Sequence, residues 1–145
     1  MYFRKYKNYE DFYAQNQKNF DCVQMAAAKM KSIGELSQTG SALAEAEKLT
    51  FDFLNLSSLC SDLLFGLSSS VLDAKSDYKK IEGVFHRASE EKSVAAKEKL
   101  CQCDPDYVES HKRFNELTDI FEYVTNKKKD FESAYYYYRN MNADK

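Results

Sequence analysis

The sequence predicts an all-α protein made of long antiparallel coiled-coil helices. Three observations carry the prediction. One proline and four glycines in 145 residues are too few turn formers for an all-β or α/β chain, against ordinary usage near 5% and 7%. Apolar residues recur at alternating three- and four-residue steps, which places them on one helical face. The strong stops fall at Gly34–Ser41 and Cys101–Pro105, leaving three long segments, about 6–33, 42–101 and 105–141.

The first segment carries the seam Tyr6, Tyr9, Tyr13, Asn16, Phe20, Val23, Ala27 and Met30. Asn16 is its one polar member, of the kind that fixes register in a coiled coil. Gly34 suits a helix C-cap. Ser41 suits an N-cap, with Glu45 just inside the next helix.

The middle segment organises the chain. Its first half has the seam Ala46, Leu49, Phe53, Leu56, Cys60 and Leu63, and its second half Leu64, Leu67, Val71, Ala74, Tyr78, Ile81, Phe85 and Ala88. The two registers differ by one residue near Leu63–Leu64. In a continuous helix that is a stutter. In a broken helix it is a corner near Gly66–Ser70, with Ser70 and Asp73 as a Ser-x-x-Asp cap. Gly66 costs only about 1 kcal/mol relative to Ala inside a helix, so the continuous helix is preferred. The alternative is a compact up-down four-helix bundle.

The middle helix must end at Asp104, which the following proline pushes out of the helical region. Asp104 can cap and Pro105 fits the first helical position. The last seam reads Tyr107, Ser110, Phe114, Leu117, Phe121, Val124, Lys128, Phe131, Tyr135 and Tyr138.

Residues 1–145 read as a single domain. A middle helix of roughly 60 residues spans about 90 Å at ~1.5 Å per residue, and the outer helices, near 42 and 55 Å, can fold back along it. Such a rod leaves apolar seam surface over and should form a homodimer. The candidate self-association seam is Phe53, Leu56, Cys60, Leu63 and Leu67 on the middle helix and Phe121, Val124, Phe131, Tyr135 and Tyr138 on the last.

Charge is uneven. Residues 1–34 carry a net +3 and residues 35–73 a net −5, while residues 74–145 carry fourteen charges of each sign. The middle is sparsely charged, as a covered segment is; the last half is dense in both signs, as a solvated helix face is. The net charge of −2 argues against a globally basic protein. The four cysteines show no secreted disulfide framework, and the opening Met-Tyr-Phe-Arg-Lys-Tyr-Lys lacks a signal peptide's apolar run, so a cytoplasmic setting is expected. No stretch is long and apolar enough to span a bilayer.

Little advertises catalysis. Cys101, Cys103 and His111, with Asp104 and Asp106, lack the paired spacing of a zinc site. There is no glycine-rich loop and no Gly-x-Ser-x-Gly. The expectation is a non-enzyme without metal or cofactor.

The order of features also resembles a family. A Lys31-Ser32-Ile33-Gly34-Glu35-Leu36 turn leads to Ala-Leu-Ala-Glu-Ala-Glu-Lys-Leu at 42–49. Asp77-Tyr78-Lys79-Lys80 and Phe85-His86-Arg87 follow, then a Lys/Glu-rich arm, an Asp104-Pro105-Asp106 tip and a returning helix. This resembles the BAR domains of sorting-nexin-type proteins, crescent dimers of long helices that bind and curve membranes. The resemblance implies a cytoplasmic, peripheral-membrane scaffold, with Lys75, Lys79, Lys80, Arg87, Lys97 and Lys99 facing anionic lipid. Two other readings stand beside it. One is an adaptor or assembly subunit whose seam docks on other coiled-coil proteins. The other, ranked behind it, is a small viral accessory protein binding single-stranded nucleic acid through Lys127–Lys129 and Tyr136–Tyr137.

Overall fold

The computed structural model describes the backbone of residues 5–37, 41–88 and 93–143, and the side chains of 5–30, 46–87 and 93–141. Every regular element among them is a helix: α1 (Tyr9–Ser37), α2 (Ser41–Ala88), α3 (Val94–Cys103) and α4 (Pro105–Ala143). The all-α class is therefore correct.

α1 starts three residues later than the seam suggests, because Asn8 caps it. The Asn8 side chain accepts the Asp11 N–H at 2.9 Å, one of the otherwise orphaned donors of a helix start, and the Asp11 carboxylate accepts the N–H of Lys7, just before the cap, at 2.9 Å. The helix continues to Ser37, so Gly34 lies inside it and is not its C-cap. Asn16 breaks the expected straight seam. Its backbone is non-helical (φ −126°, ψ 17°), kinking α1, and before the kink Phe12 is fully buried while Tyr9 is 40% exposed.

α2 runs unbroken through Leu63–Ser70. That removes the corner, and with it the Ser70–Asp73 cap and the up-down four-helix alternative. The helix predicted over 42–101, however, is two helices. Ser93 is extended (φ −62°, ψ 157°) and its hydroxyl accepts the Ala96 N–H, so the chain restarts a helix at Val94 instead of continuing one. The Lys97 ammonium donates to the His86 carbonyl at 3.0 Å, placing a cation against the last turn of α2. The next boundary is as expected: Asp104 is extended (ψ 127°) and accepts the Tyr107 N–H at 3.0 Å.

The chain forms two compact units. One holds the N-terminal segment through Phe12 with Gly66–Phe121; the other holds Tyr13–Phe65 and the chain from Glu122 onward. The first unit buries Tyr6, Phe12, Leu67, Ala74, Tyr78, Cys101, Leu117 and Ile120. α2 and α4 are antiparallel there, with Tyr78 against His111 and Phe114 and Glu82 against Tyr107. The second unit buries Phe20, Val23, Ala46, Phe53, Cys60, Leu63, Val124, Phe131 and Tyr138. Phe53 stacks on Tyr138 (5.8 Å, 4°) and lies 6.1 Å from Phe131, while Phe20 meets Tyr123 edge-on at 5.9 Å. Each fully buried Phe contributes about 1.5–3 kcal/mol through area removed from water, and aromatic pairing adds ~0.5–1.5 kcal/mol.

Candidate functional site

Two places concentrate unusual features. The first, in the first unit, anchors the N-terminal segment. The buried Ser70 hydroxyl accepts the Tyr6 N–H at 2.9 Å and donates to the Gly66 carbonyl at 3.1 Å. Arg113 donates to the Tyr6 carbonyl through Nη2 (2.8 Å) and Nε (3.3 Å), and through Nη1 to Asp73 (3.1 Å) and Asp77 (3.2 Å). Lys5 adds an ion pair to Asp73 at 2.9 Å. The hydrogen bond from Lys5 holds the Asp73 carboxyl below its ordinary value, and the Arg113 guanidinium works in the same direction. Both backbone polar groups of Tyr6 are thereby satisfied inside the protein, which makes this a structural clamp on the N-terminal segment.

The second place is a groove of about 800 Å³ in the second unit. α1 supplies one wall with Cys22, Met25 and Ala26, edged by Lys18 and Lys29; α2 supplies the other with Leu49, Phe53, Leu56 and Leu59, edged by Asp52. Leu49, Leu56 and Leu59 are half-buried and Met25 is 59% exposed, while Phe53 closes the floor. Burial pushes the Cys60 thiol up to about 11, so it behaves as a small core hydrophobe. The arrangement offers an apolar trough of a size and shape that takes another helix.

Three of the six lysine and arginine residues that the resemblance assigns to lipid have partners within the chain. Lys79 pairs with Glu82 at 3.3 Å and lies 5.4 Å from the Tyr78 ring centroid. Arg87 bends back to the Gly83 carbonyl and Lys97 to that of His86. Lys75, Lys79, Lys80, Arg87 and Lys99 are exposed and Lys97 is half-buried. Of the seam residues, Phe53, Cys60, Leu63, Leu67, Val124, Phe131 and Tyr138 are buried in the chain itself, and Leu56, Phe121 and Tyr135 are partly covered. The buried members of that seam pack this chain's own helices, while half-buried Leu56 also lines the groove.

In the Lys127–Lys129 run, Lys127 pairs with Asp130 and Lys128 with Glu132; Tyr136 and Tyr137 are each more than half exposed. His111 packs against Tyr78 and Tyr107. Among the described residues no group of three or more His, Cys, Asp or Glu could hold a metal ion, and no helix is long and apolar enough to cross a membrane. A hollow of about 280 Å³ lies beside Glu82, His86, Cys101 and Tyr107. There the Tyr107 hydroxyl donates to Glu82 at 3.2 Å, and burial, reinforced by Glu82, holds the phenol above its ordinary value.

Sequence reasoning missed the groove's α1 wall, because Cys22, Met25 and Ala26 stand beside the heptad seam and not on it. It also missed Gly66 as a contact surface and Arg113 as a clamp, since both act on a residue far away in sequence. No family model, no curated protein and no solved structure matches this chain.

Proposed function

We propose that this chain is a non-catalytic helical scaffold that works by self-association, in the manner of a BAR-like long-helix dimer. One observation carries the reading: between Lys48 and Asp73, α2 has only two charged residues, Asp52 and Asp62, yet apolar side chains emerge on more than one of its faces. Phe53, Cys60 and Leu63 point into the chain, Leu56 and Leu59 into the groove, and Phe51 and Leu54 are 58% and 43% exposed. A helix apolar around most of its circumference is characteristically covered, and contiguous exposed apolar surface marks interaction sites.

Membrane association through Lys75, Lys80 and Lys99 has less support, since the other three candidate cations are engaged within the chain. Nucleic-acid binding has less still, because Lys127 and Lys128, two of the three lysines in the run, are paired with acids. Light scattering across a concentration series tests the proposal. The expected molar mass rises to twice that of one chain in the micromolar range; a single-chain mass at every concentration contradicts it.

A further inference from the structure

We infer that the groove of the second unit is a homodimer interface in which α1 of each copy lies on α2 of the other, bringing Lys29 to the partner's Asp52 and Lys18 to the partner's Asp62. The inference rests on the self-association reading and names the surface and the pairing that reading leaves open.

The two walls carry opposite charge. The α1 wall is edged by Lys18 and Lys29, and the α2 wall by Asp52, with the exposed Asp62 further along the same helix. The α1 wall also holds one acid, Asp21, which accepts a hydrogen bond from the Tyr13 hydroxyl at 2.8 Å, and two lysines against one carboxylate leave that wall net basic. Lys18, Lys29, Asp52 and Asp62 have no ion pair among the described residues. A basic wall beside an acidic wall is self-complementary: an isologous contact lays each wall on its opposite.

The spacing fits as well. The groove is lined from Lys18 to Lys29 on α1 and from Leu49 to Leu59 on α2, two consecutive helices that run antiparallel along it. Counting in opposite directions along these two spans puts Lys18 beside the Asp62 end and Lys29 beside the Asp52 end. The lysines are separated by about 16 Å and the aspartates by about 15 Å, at ~1.5 Å per residue. A two-fold axis parallel to the helices keeps every residue at its own level while carrying α1 over the partner's α2. Both ion pairs then form twice, and Met25, Leu56 and Leu59 are covered between them. An unrelated helix has no reason to match both walls at once; a second copy matches them by symmetry.

The test uses two surface variants and their mixture. Asp52→Lys with Asp62→Lys makes both walls basic; Lys18→Glu with Lys29→Glu makes both acidic. All four positions are on the surface, and circular dichroism checks that helicity is kept. Sedimentation velocity should show each variant dimerising at least tenfold more weakly than the wild type. An equimolar mixture should recover a dimer as tight as the wild type within a few-fold, more so at low salt. A wild-type dimer that neither variant weakens, or weakened variants that the mixture does not restore, overturns this interface and leaves the scaffold reading standing. A wild type that stays monomeric overturns both.

Discussion

The Tyr6 ring lies directly against Gly66. A Cβ added at Gly66 would stand 2.8 Å from the Tyr6 hydroxyl oxygen and 3.2 Å from its Cε2. The ring cannot readily retreat, because Ser70 holds the Tyr6 N–H and Arg113 its carbonyl, and Phe12 packs edge-on against it at 5.2 Å.

Gly66→Ala should therefore destabilise the protein, by about 1–3 kcal/mol from overpacking, although helix propensity alone would favour Ala by ~1 kcal/mol. Adding Tyr6→Phe removes the nearest oxygen and should recover part of the loss. Chemical denaturation measures both; a stabilised Gly66→Ala variant would show that the ring does not need this space.

Ser70→Ala should cost about 1–3 kcal/mol, because it strands the buried Tyr6 N–H. Ser68, two residues earlier on the same helix and exposed, is the control. Ser68→Ala should be neutral or slightly stabilising, since Ala is the better helix former. Equal effects at the two positions would contradict the clamp.

Asp73 gives the clamp a pH dependence. Its carboxyl titrates below the ordinary value of 3.8 in the folded chain, through the Lys5 hydrogen bond first and Arg113 second. The unfolded chain therefore binds this proton at higher pH than the folded one. The contribution is fully present above the unfolded value and is lost as pH falls through the folded one. Asp73→Asn should lower stability at neutral pH, on the order of 1 kcal/mol given the half-exposed Lys5 partner, and flatten the stability profile below about pH 4. Denaturation midpoints from pH 2 to 7 check the slope.

Ser93→Ala removes the hydroxyl that caps α3 and should cost about 1 kcal/mol. The loss should be local, with amide exchange accelerating across Val94–Cys103 while the Phe53–Tyr138 region keeps its protection.

Much of this was legible in the chain. Asp104-Pro105 marked a helix boundary by local chemistry alone, and the modest cost of one glycine foresaw the continuity of α2 through Gly66. Features set by partners distant in sequence were not legible. Gly66 read as a weak point because its partner, Tyr6, lies sixty residues upstream. The heptad rule chose Tyr13 where Phe12 is buried, since a seam drawn on a straight helix knows nothing of the kink at Asn16. Ser93 went unread as a cap because the surrounding Lys/Glu-rich sequence suits a helix well. The groove arose in the same way: the heptad seam grouped Leu49 and Leu56 with the residues that α2 buries, and only with α1 in place did it become visible that these two, with the off-seam Leu59, stay half-covered.

The central claim, assembly through that groove, is tested most directly by Leu56→Asp with Leu59→Asp. These side chains are half-buried on the open wall of α2, so the folded chain should tolerate the change with its helical signal intact. The account predicts that light scattering finds the variant at the mass of a single chain, at concentrations where the wild type has twice that mass. An unchanged mass would contradict it.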